Sequence, residues 1–451
     1  MWTVIRALSG KNVTSKKIVL GLIEQTSDPV EIAKAFGTHF SQVSSTGNYN
    51  PAFIRHKIDV EQNIIVFPHD NGKYYNSIFT MKELTHAIKN TSNTSPGPDD
   101  VHYEMLRNLP HLQQIHLLNF INFIWTSHVF PTQWREAIIL PFLKPNKPAQ
   151  AVASYRPIAL TSCVCKTMER MVLPRLSLAL EEQNFVKPYQ SGFKRLHSTM
   201  DCLVRLESAI QDTFLNREYM IAVFLDIEKA YDMLWRYSIH KALSRLKLVG
   251  NLPKFIINFL SNRFIRVRIG THISEAFLVE NGIPQGSVLS CTLFLIAINS
   301  IFEEAVDVVK SLFCDDGLFW ATGATVDAAR DKIRRALQCL TNWCKETGFK
   351  LSTTKTYYVI FTRRRVLRDP VLFLCGSPID RKAETTYLGM IFDQRLTWSK
   401  HITALVQRCK KPLGILRSVA RRNWGGDRKS LTLLYTALIR SKIDYGSYLY
   451  A

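Results

Sequence analysis

The sequence predicts an α+β fold built around a split βαβ sheet. Three observations carry this expectation. Residues 220–225 (Met-Ile-Ala-Val-Phe-Leu) are a continuous apolar run ending at Asp226, which suits a strand buried on both faces. Residues 308–320 read as two short strands joined at Asp315-Asp316-Gly317. A helix then runs from Thr325, with Ile333, Leu337, Leu340 and Cys344 on one stripe, and a strand returns over residues 356–361. This order places the end of the first strand beside the hairpin tip. It can unite residues 89 positions apart (315 − 226).

The remaining elements follow in order. Residues 1–90 carry mixed helical signals and no chemical motif. Residues 91–100 (Thr-Ser-Asn-Thr-Ser-Pro-Gly-Pro-Asp-Asp) are a breaker cluster and predict a loop. A helix is expected over 103–125, a short strand over 137–144 and a turn over 145–148. Tyr155-Arg-Pro-Ile-Ala-Leu160 precedes a helical stretch over 163–182. Residues 287–304 have an apolar helical pattern. Thr325 suits the cap of the next helix, Asp327 its positive end, and Gly348 its stop. Beyond about residue 395 the pattern is helical and basic, with Arg408, Lys410, Lys411, Arg417, Arg421, Arg422, Arg428 and Lys429.

The totals narrow the function. The chain has 451 residues, a net charge of +21 and a pI near 9.6. So basic a chain usually meets a polyanion, of which a nucleic-acid backbone is the commonest. The basic residues are spread along the chain rather than gathered beside one apolar helix, which argues against a membrane surface. Nine cysteines contain no Cys-x-x-Cys pair, so neither a zinc knuckle nor a secreted disulfide scaffold is indicated. The N-terminus has no signal-peptide core, and the longest apolar runs are too short to span a bilayer. The expectation is a soluble, intracellular protein.

Three features carry chemistry. Asp226 ends a buried strand, where an unpaired carboxylate is costly. Alone it fits a salt-bridged strand end better than a ligand. Asp315 and Asp316 repel each other between apolar flanks; a solvated turn and a divalent-metal site explain them equally well. Magnesium needs only one or two protein carboxylates. Paired ions about 3.5–4 Å apart can clamp the attacking and leaving oxygens of a phosphoryl transfer. Gly282-Ile-Pro-Gln-Gly-Ser287 lets a backbone approach a ligand closely, and the helix N-terminus after it favours anionic groups.

Together these motifs resemble the reverse transcriptases. Val223-Phe-Leu-Asp226-Ile-Glu-Lys-Ala-Tyr231-Asp232 resembles motif A of that family. Asn281-Gly-Ile-Pro-Gln-Gly-Ser-Val-Leu-Ser290 resembles motif B, and Phe313-Cys-Asp-Asp316 stands where the family has Tyr-Ala-Asp-Asp, its motif C. Lys144-Pro-Asn-Lys147, Tyr155–Leu160 and Gln190-Ser-Gly-Phe193 with His197-Ser-Thr resemble fingers blocks. Trp343, Gly348-Phe-Lys-Leu351 and Lys355-Thr356 resemble motif D. Tyr387-Leu-Gly389, Asp393 and Leu396-Thr-Trp398 resemble the primer grip of non-LTR retrotransposons. With Ser95-Pro-Gly-Pro-Asp99, the set is closest to jockey-like elements and covers roughly residues 80–450.

The resemblance implies a right-hand polymerase. It implies an N-terminal connector over 1–90, a reverse transcriptase domain over 124–392 and a helical thumb-like segment over 393–451. Fingers would reach about residue 215, with an interrupted palm to about 375. It implies RNA-directed DNA synthesis from an RNA template, a DNA primer and dNTPs. Asp226, Asp315 and Asp316 would hold two magnesium ions, with manganese as a substitute. Tyr231 would exclude a ribose 2′-hydroxyl; Gln285 and Gly286 would contact nucleotide and template. Lys144 and Arg156 would meet the triphosphate, Lys355 would protonate pyrophosphate, and Ile227 would contribute backbone alone.

Phe313, Cys314 and Cys291 depart from the family's usual Tyr, Ala and Pro. An upstream endonuclease and a downstream Cys/His knuckle are not recognised, so a truncated copy is one expectation. A catalytically silent nucleic-acid-binding remnant is therefore the competing reading. A metal nuclease is a third, but it leaves the Gly282–Ser287 loop and Tyr231 unexplained.

Overall fold

A computed structural model describes residues 27–70, 72–145, 147–420 and 425–450. Residues 1–26, Arg421 and Arg422 lie outside the described residues. Helix α1 (Pro29–Val43) starts with proline at its first turn, and the Asp28 carboxylate accepts from Val30 N at 3.2 Å. Helix α2 (Pro51–Glu61) repeats the device with Asn50, and α3 (Met81–Lys89) opens on a capping box of Thr80 and Glu83. The described part of the N-terminal region is not a separate unit. Ile32 and Phe36 of α1 pack with strands later in the chain, and Leu84 of α3 joins the main core.

The helix expected over 103–125 is two helices, α4 (Tyr103–Arg107) and α5 (His111–Ser127). Pro110 separates them because it has no N–H to continue α4 and its ring clashes with the preceding turn. Strand β1 (Glu136–Leu143) pairs antiparallel with β2 (Tyr155–Leu160). Helix α6 (Cys163–Glu182) is as expected, and α7 (Thr199–Leu215) follows it.

Strand β3 (Tyr219–Leu225) explains its own composition. Ile221, Val223 and Leu225 face the main core, while Met220, Ala222 and Phe224 face a second core with Leu203, Leu206 and Ile210 of α7. Both faces are covered, so polar and apolar residues do not alternate.

After β3 come α8 (Arg236–Arg245) and α9 (Asn251–Leu260), which the sequence reading does not identify. Neither does it identify β4 (Arg263–Ile269), β5 (His272–Ile273) and β6 (Phe277–Val279). Strand β4 runs parallel to β1, so this segment rejoins the first sheet, ordered β2-β1-β4-β5 with β6 on β4.

The helix expected over 287–304 is shorter, α10 (Ser290–Ile298). At its start the Val288 and Leu289 amides are taken by another helix's carboxylate, Glu169. At its end Asn299 leaves the helix to receive Lys187 N at 3.0 Å and to donate to Phe185 O at 2.7 Å.

Strands β7 (Val309–Phe313) and β8 (Asp316–Gly323) form the predicted hairpin, but its loop is Cys314-Asp315, one residue earlier than expected. Helix α11 (Val326–Thr347) is capped by Thr325 and ended by left-handed Gly348. Strand β9 (Tyr357–Phe361) follows, then β10 (Leu372–Leu374) and β11 (Ser377–Lys382). The central sheet is ordered β10-β11-β9-β3-β8-β7, with the predicted strand between hairpin and return strand.

Strands β12 (Glu384–Tyr387) and β13 (Met390–Asp393) make a hairpin turned by Leu388-Gly389, with φ of 45° and 87°. Helices α12 (Ser399–Val419) and α13 (Arg428–Tyr435) meet through Ile415 and Leu434. Among the described residues no helix is long and apolar enough to cross a membrane.

Candidate active site

The carboxylates meet through strand register. Leu225 lies opposite Gly317 in the antiparallel β3–β8 pair, so the next step sets Asp226 level with Asp316. Phe313 pairs with Asp316, which leaves Cys314 and Asp315 as the hairpin loop. Cys314 has φ of 58°, a left-handed conformation that costs a residue with a side chain about 1–2 kcal/mol. The loop is held from outside. Gly192 of the Gln190–Phe193 block lies against it, and a Cβ there would come within 2.2 Å of the Cys314 nitrogen. Ser191 N donates to Leu312 O at 2.9 Å, and Leu312 N to Tyr189 O at 2.8 Å.

Charge gathers at this hairpin. The Asp316 side chain is open to solvent, yet it is set against enough protein to lose hydration. That loss, with the charges of Asp315 and Asp226, pushes its carboxyl up to about 6. Lys355 Nζ lies 3.1 Å from Asp226 Oδ2 and offsets part of this charge. Lys355 is delivered by backbone pairing past the strand end: Ser352 N donates to Asp226 O and Glu228 N to Lys350 O, both at 2.8 Å. Ile227 bridges Leu351 within this ladder, and its side chain is buried.

Among the described residues no three His, Cys, Asp or Glu side chains converge tightly enough to hold one metal ion. Like charges repel, and Asp226 is ion-paired with Lys355. The donor set itself, all hard carboxylate oxygens with two facing across paired strands, fits magnesium, which requires only one or two protein carboxylates.

The Gly282–Ser287 loop is fastened to the segment after β3. Gly282 N donates to Leu234 O at 2.8 Å and Ile283 N to Tyr231 O at 2.9 Å. Gln285 Nε2 donates to Asp232 Oδ1 at 2.9 Å, and Gln285 O receives Ala159 N of β2 at 2.8 Å. Gly286 has φ of 123°, and a Cβ there would meet Ala159 O at 2.6 Å, so only glycine fits. The Tyr231 ring stacks on Phe294 of α10 (4.5 Å between centroids, 10° between planes). Burial raises its phenol far above the ordinary range, and the Cys291 thiol is its hydrogen-bond neighbour.

The cations come from the first sheet. Arg156 lies opposite Phe142 in the β1–β2 pair and is exposed. Lys144 Nζ donates to Ala153 O at 3.0 Å. Partial burial lowers the Lys144 ammonium, and Arg156 and Lys355 are near enough to lower it further while Asp232 opposes them. Arg156, Lys355 and Asp232 are therefore all within electrostatic reach of Lys144.

Two residues of this region escape the sequence reading. Asp232 is pushed up to about 6 by burial, against the hydrogen bond from Gln285 and the pull of Lys229 and Lys144. Glu169 of α6 has no exposed surface. Its carboxylate accepts from the Ser287 hydroxyl, Val288 N (2.7 Å) and Leu289 N (3.1 Å). The helix N-terminus does attract an anion, as predicted, but that anion is the protein's own Glu169. The signal was present: Glu169 sits on the face of α6 shared by buried Cys165, Met168, Val172 and Leu176, where a lone acid needs partners.

A strand end beside an acidic hairpin, and a glycine-bracketed loop that ties the segment after that strand to a second sheet, make up the architecture of a right-hand polymerase. Residues 143–392 match the family model described as reverse transcriptase (RNA-dependent DNA polymerase), and the chain belongs to that family. Among curated relatives, it is 32% identical over 368 residues to the probable RNA-directed DNA polymerase from transposon BS of Drosophila melanogaster, over 78% of this chain and 39% of that protein. It is 29% identical over 373 residues to the probable RNA-directed DNA polymerase from transposon X-element of the same fly (80% and 40%). To that fly's RNA-directed DNA polymerase from mobile element jockey it is 27% identical over 390 residues (83% and 42%). The resemblance to jockey-like elements therefore holds. The chain spans about two fifths of the length of these relatives.

Proposed function

We propose that this chain carries the polymerising activity of a jockey-like RNA-directed DNA polymerase. It would extend a DNA primer along an RNA template with dNTPs. One observation carries the reading: strand register sets Asp226 level with Asp316, with Asp315 in the loop beside them. Asp226, Asp315 and Asp316 would hold two magnesium ions, or manganese in their place. Bound there, the metals supply positive charge to the attacking and leaving oxygens.

The chain's own groups do the rest. Tyr231, held flat on Phe294, would form the floor under the sugar and leave no room for a 2′-hydroxyl. Lys144 and Arg156 would offset the triphosphate. Gln285 and Gly286 would present the loop edge to nucleotide and template, with Gln285 pinned by Asp232. Ile227 would offer only its backbone. Lys355 would exchange its bond to Asp226 for a pyrophosphate oxygen and carry the proton there. We assign the fingers to residues up to about 215, the palm to 216–375 with 263–279 returned to the fingers sheet, and the thumb to the helices beyond. Residues 1–90 are assigned as an N-terminal connector whose described part packs onto the first sheet and the main core, and the protein is assigned to a soluble, intracellular setting.

The test is primer extension on an RNA template with magnesium and dNTPs. Template-directed lengthening of the primer is expected. Primer shortening, or lengthening that ignores template sequence, would remove the polymerase reading.

A further inference from the structure

The far end of the central sheet carries a cleft of about 590 Å³ where β3 begins, α11 begins and the chain leaves β9. It lies seven residues of β3 from Asp226, or roughly 23 Å at 3.3 Å per residue, so it is not a wall of the candidate active site. Five arginines line it against two aspartates: Arg330, Arg334, Arg364, Arg365 and Arg368 against Asp327 and Asp369.

The ion pairs leave most of that charge unanswered. Arg330 is bonded to Asp327 and to Asp331 (2.9 Å), and Asp369 is bonded to Arg381. Among the described residues Arg334, Arg365 and Arg368 have no carboxylate partner. Three unpaired guanidinium groups around one concavity form a ready phosphate-binding set, since each offers a planar fork of donors.

The cleft is also built. The loop bearing Arg364, Arg365 and Arg368 is fastened at both ends and in the middle. Thr362 Oγ1 receives Arg364 N and donates to Glu218 O, both at 3.1 Å. Tyr219 Oη donates to Arg365 O at 3.1 Å, and Tyr358 Oη to Pro370 O at 2.6 Å. Arg364 is seated over the Tyr219 ring at 4.9 Å, with Nη1 on Arg217 O and Ala324 O. The loop backbone is thus held before binding, and the ordering cost falls on the arginine side chains alone. The positive end of the 22-residue helix α11 opens on the same cleft. Apolar surface is interleaved with the charge: Phe373 is 51% exposed and Leu367 87%.

We propose that this cleft is a second polynucleotide site, holding a single-stranded segment away from the polymerising centre. Phosphates would meet Arg334, Arg365 and Arg368, and a base would lie on Phe373, the pairing of basic groove and aromatic platform that single strands use. An acidic peptide would satisfy the arginines but leave the exposed aromatic unused. The proposal goes beyond the polymerase reading: its extension arm rests on that reading, while the cross-link and salt-slope arms do not.

The test uses a thiouridine-substituted single-stranded RNA, cross-linked by light and mapped by mass spectrometry, together with a salt series of binding. Cross-links within 364–373 are expected. Combining Arg334→Ala, Arg365→Ala and Arg368→Ala should abolish them. It should also lower the slope of log K against log salt by about 2, at about 0.7 for each phosphate no longer neutralised. The matching triple lysine variant should keep the slope, which shows that charge and not folding was removed. Extension of a short primer–template should be unchanged in the alanine variant. Absent cross-links, an unchanged slope, or displacement of the RNA only by an acidic peptide would overturn the proposal. Loss of short-template extension would overturn it too, by joining the cleft to the polymerising track.

Discussion

Replacing Glu169 by alanine strips four donors of their acceptor at once: the Ser287 hydroxyl, the Val288 and Leu289 amides and, as a weak donor, the Cys165 thiol at 3.6 Å. A buried donor left without a partner costs about 1–3 kcal/mol. Ser287 and Leu289 are buried, whereas Val288 is partly open and can take water. Two full penalties and one partial one give about 3–4 kcal/mol. The buried Arg263 guanidinium, which has Glu169 as a neighbouring charge, adds to the loss. Hydrogen exchange at Val288 and Leu289 reads this locally. Those amides should exchange roughly two to three orders of magnitude faster in Glu169→Ala, at about 1.4 kcal/mol per factor of ten. Glu169→Gln keeps an acceptor oxygen and should lose only about 1 kcal/mol. Unchanged protection in Glu169→Ala would refute the claim that this carboxylate holds the Gly282–Ser287 loop.

Other outcomes follow from the same geometry. Asp316 titrates near 6 in the fold against 3.8 ordinarily, so the native state binds the proton more tightly and stability falls as pH rises between those values. Asp316→Asn should therefore match the wild type below pH about 4 and exceed it above pH about 6, by about 1 kcal/mol once solvent screening is counted. Thermal melts across that range check the sign. Tyr231→Ala should raise ribonucleotide use relative to dNTPs by about tenfold or more, about 1.4 kcal/mol, read from competing incorporation. Gly286→Ala forces a Cβ to 2.6 Å from Ala159 O at a φ of 123°, and should cost about 2 kcal/mol or more by urea denaturation.

The legible parts of the fold were those where local and tertiary demands agree. Residues 219–225 are apolar on both faces because α7 and α11 cover both, and a continuous run records that. Thr325 and Gly348 punctuate α11 because a helix start needs an acceptor for its free N–H groups and a helix end a left-handed stop. The return of residues 263–279 to the first sheet was not legible. Strand β4 alternates Arg263, Arg266 and Arg268 with apolar residues, and Arg263 is buried on the inner face, which blurs the pattern. The 287–304 helix was overextended because its limits are set by Glu169, Phe185 and Lys187, all more than 100 positions away.

At the site, sequence named the three aspartates, Tyr231, Gln285 and the cations; the structure sets Asp226 level with Asp316 and pairs it with Lys355, and it binds Gln285 to Asp232. Sequence could not name the Asp226–Lys355 pair, 129 positions apart, or Glu169, whose partners are defined only by packing.

The most direct test of the central claim is single-turnover addition of one dNTP to a primer on an RNA template, comparing the wild type with Asp226→Asn and with the combined Asp315→Asn and Asp316→Asn. Both variants should keep primer–template affinity and lose the rate by about three orders of magnitude or more, about 4 kcal/mol of transition-state stabilisation. Extension by either variant at the wild-type rate would contradict the assignment of these carboxylates to the reacting centre.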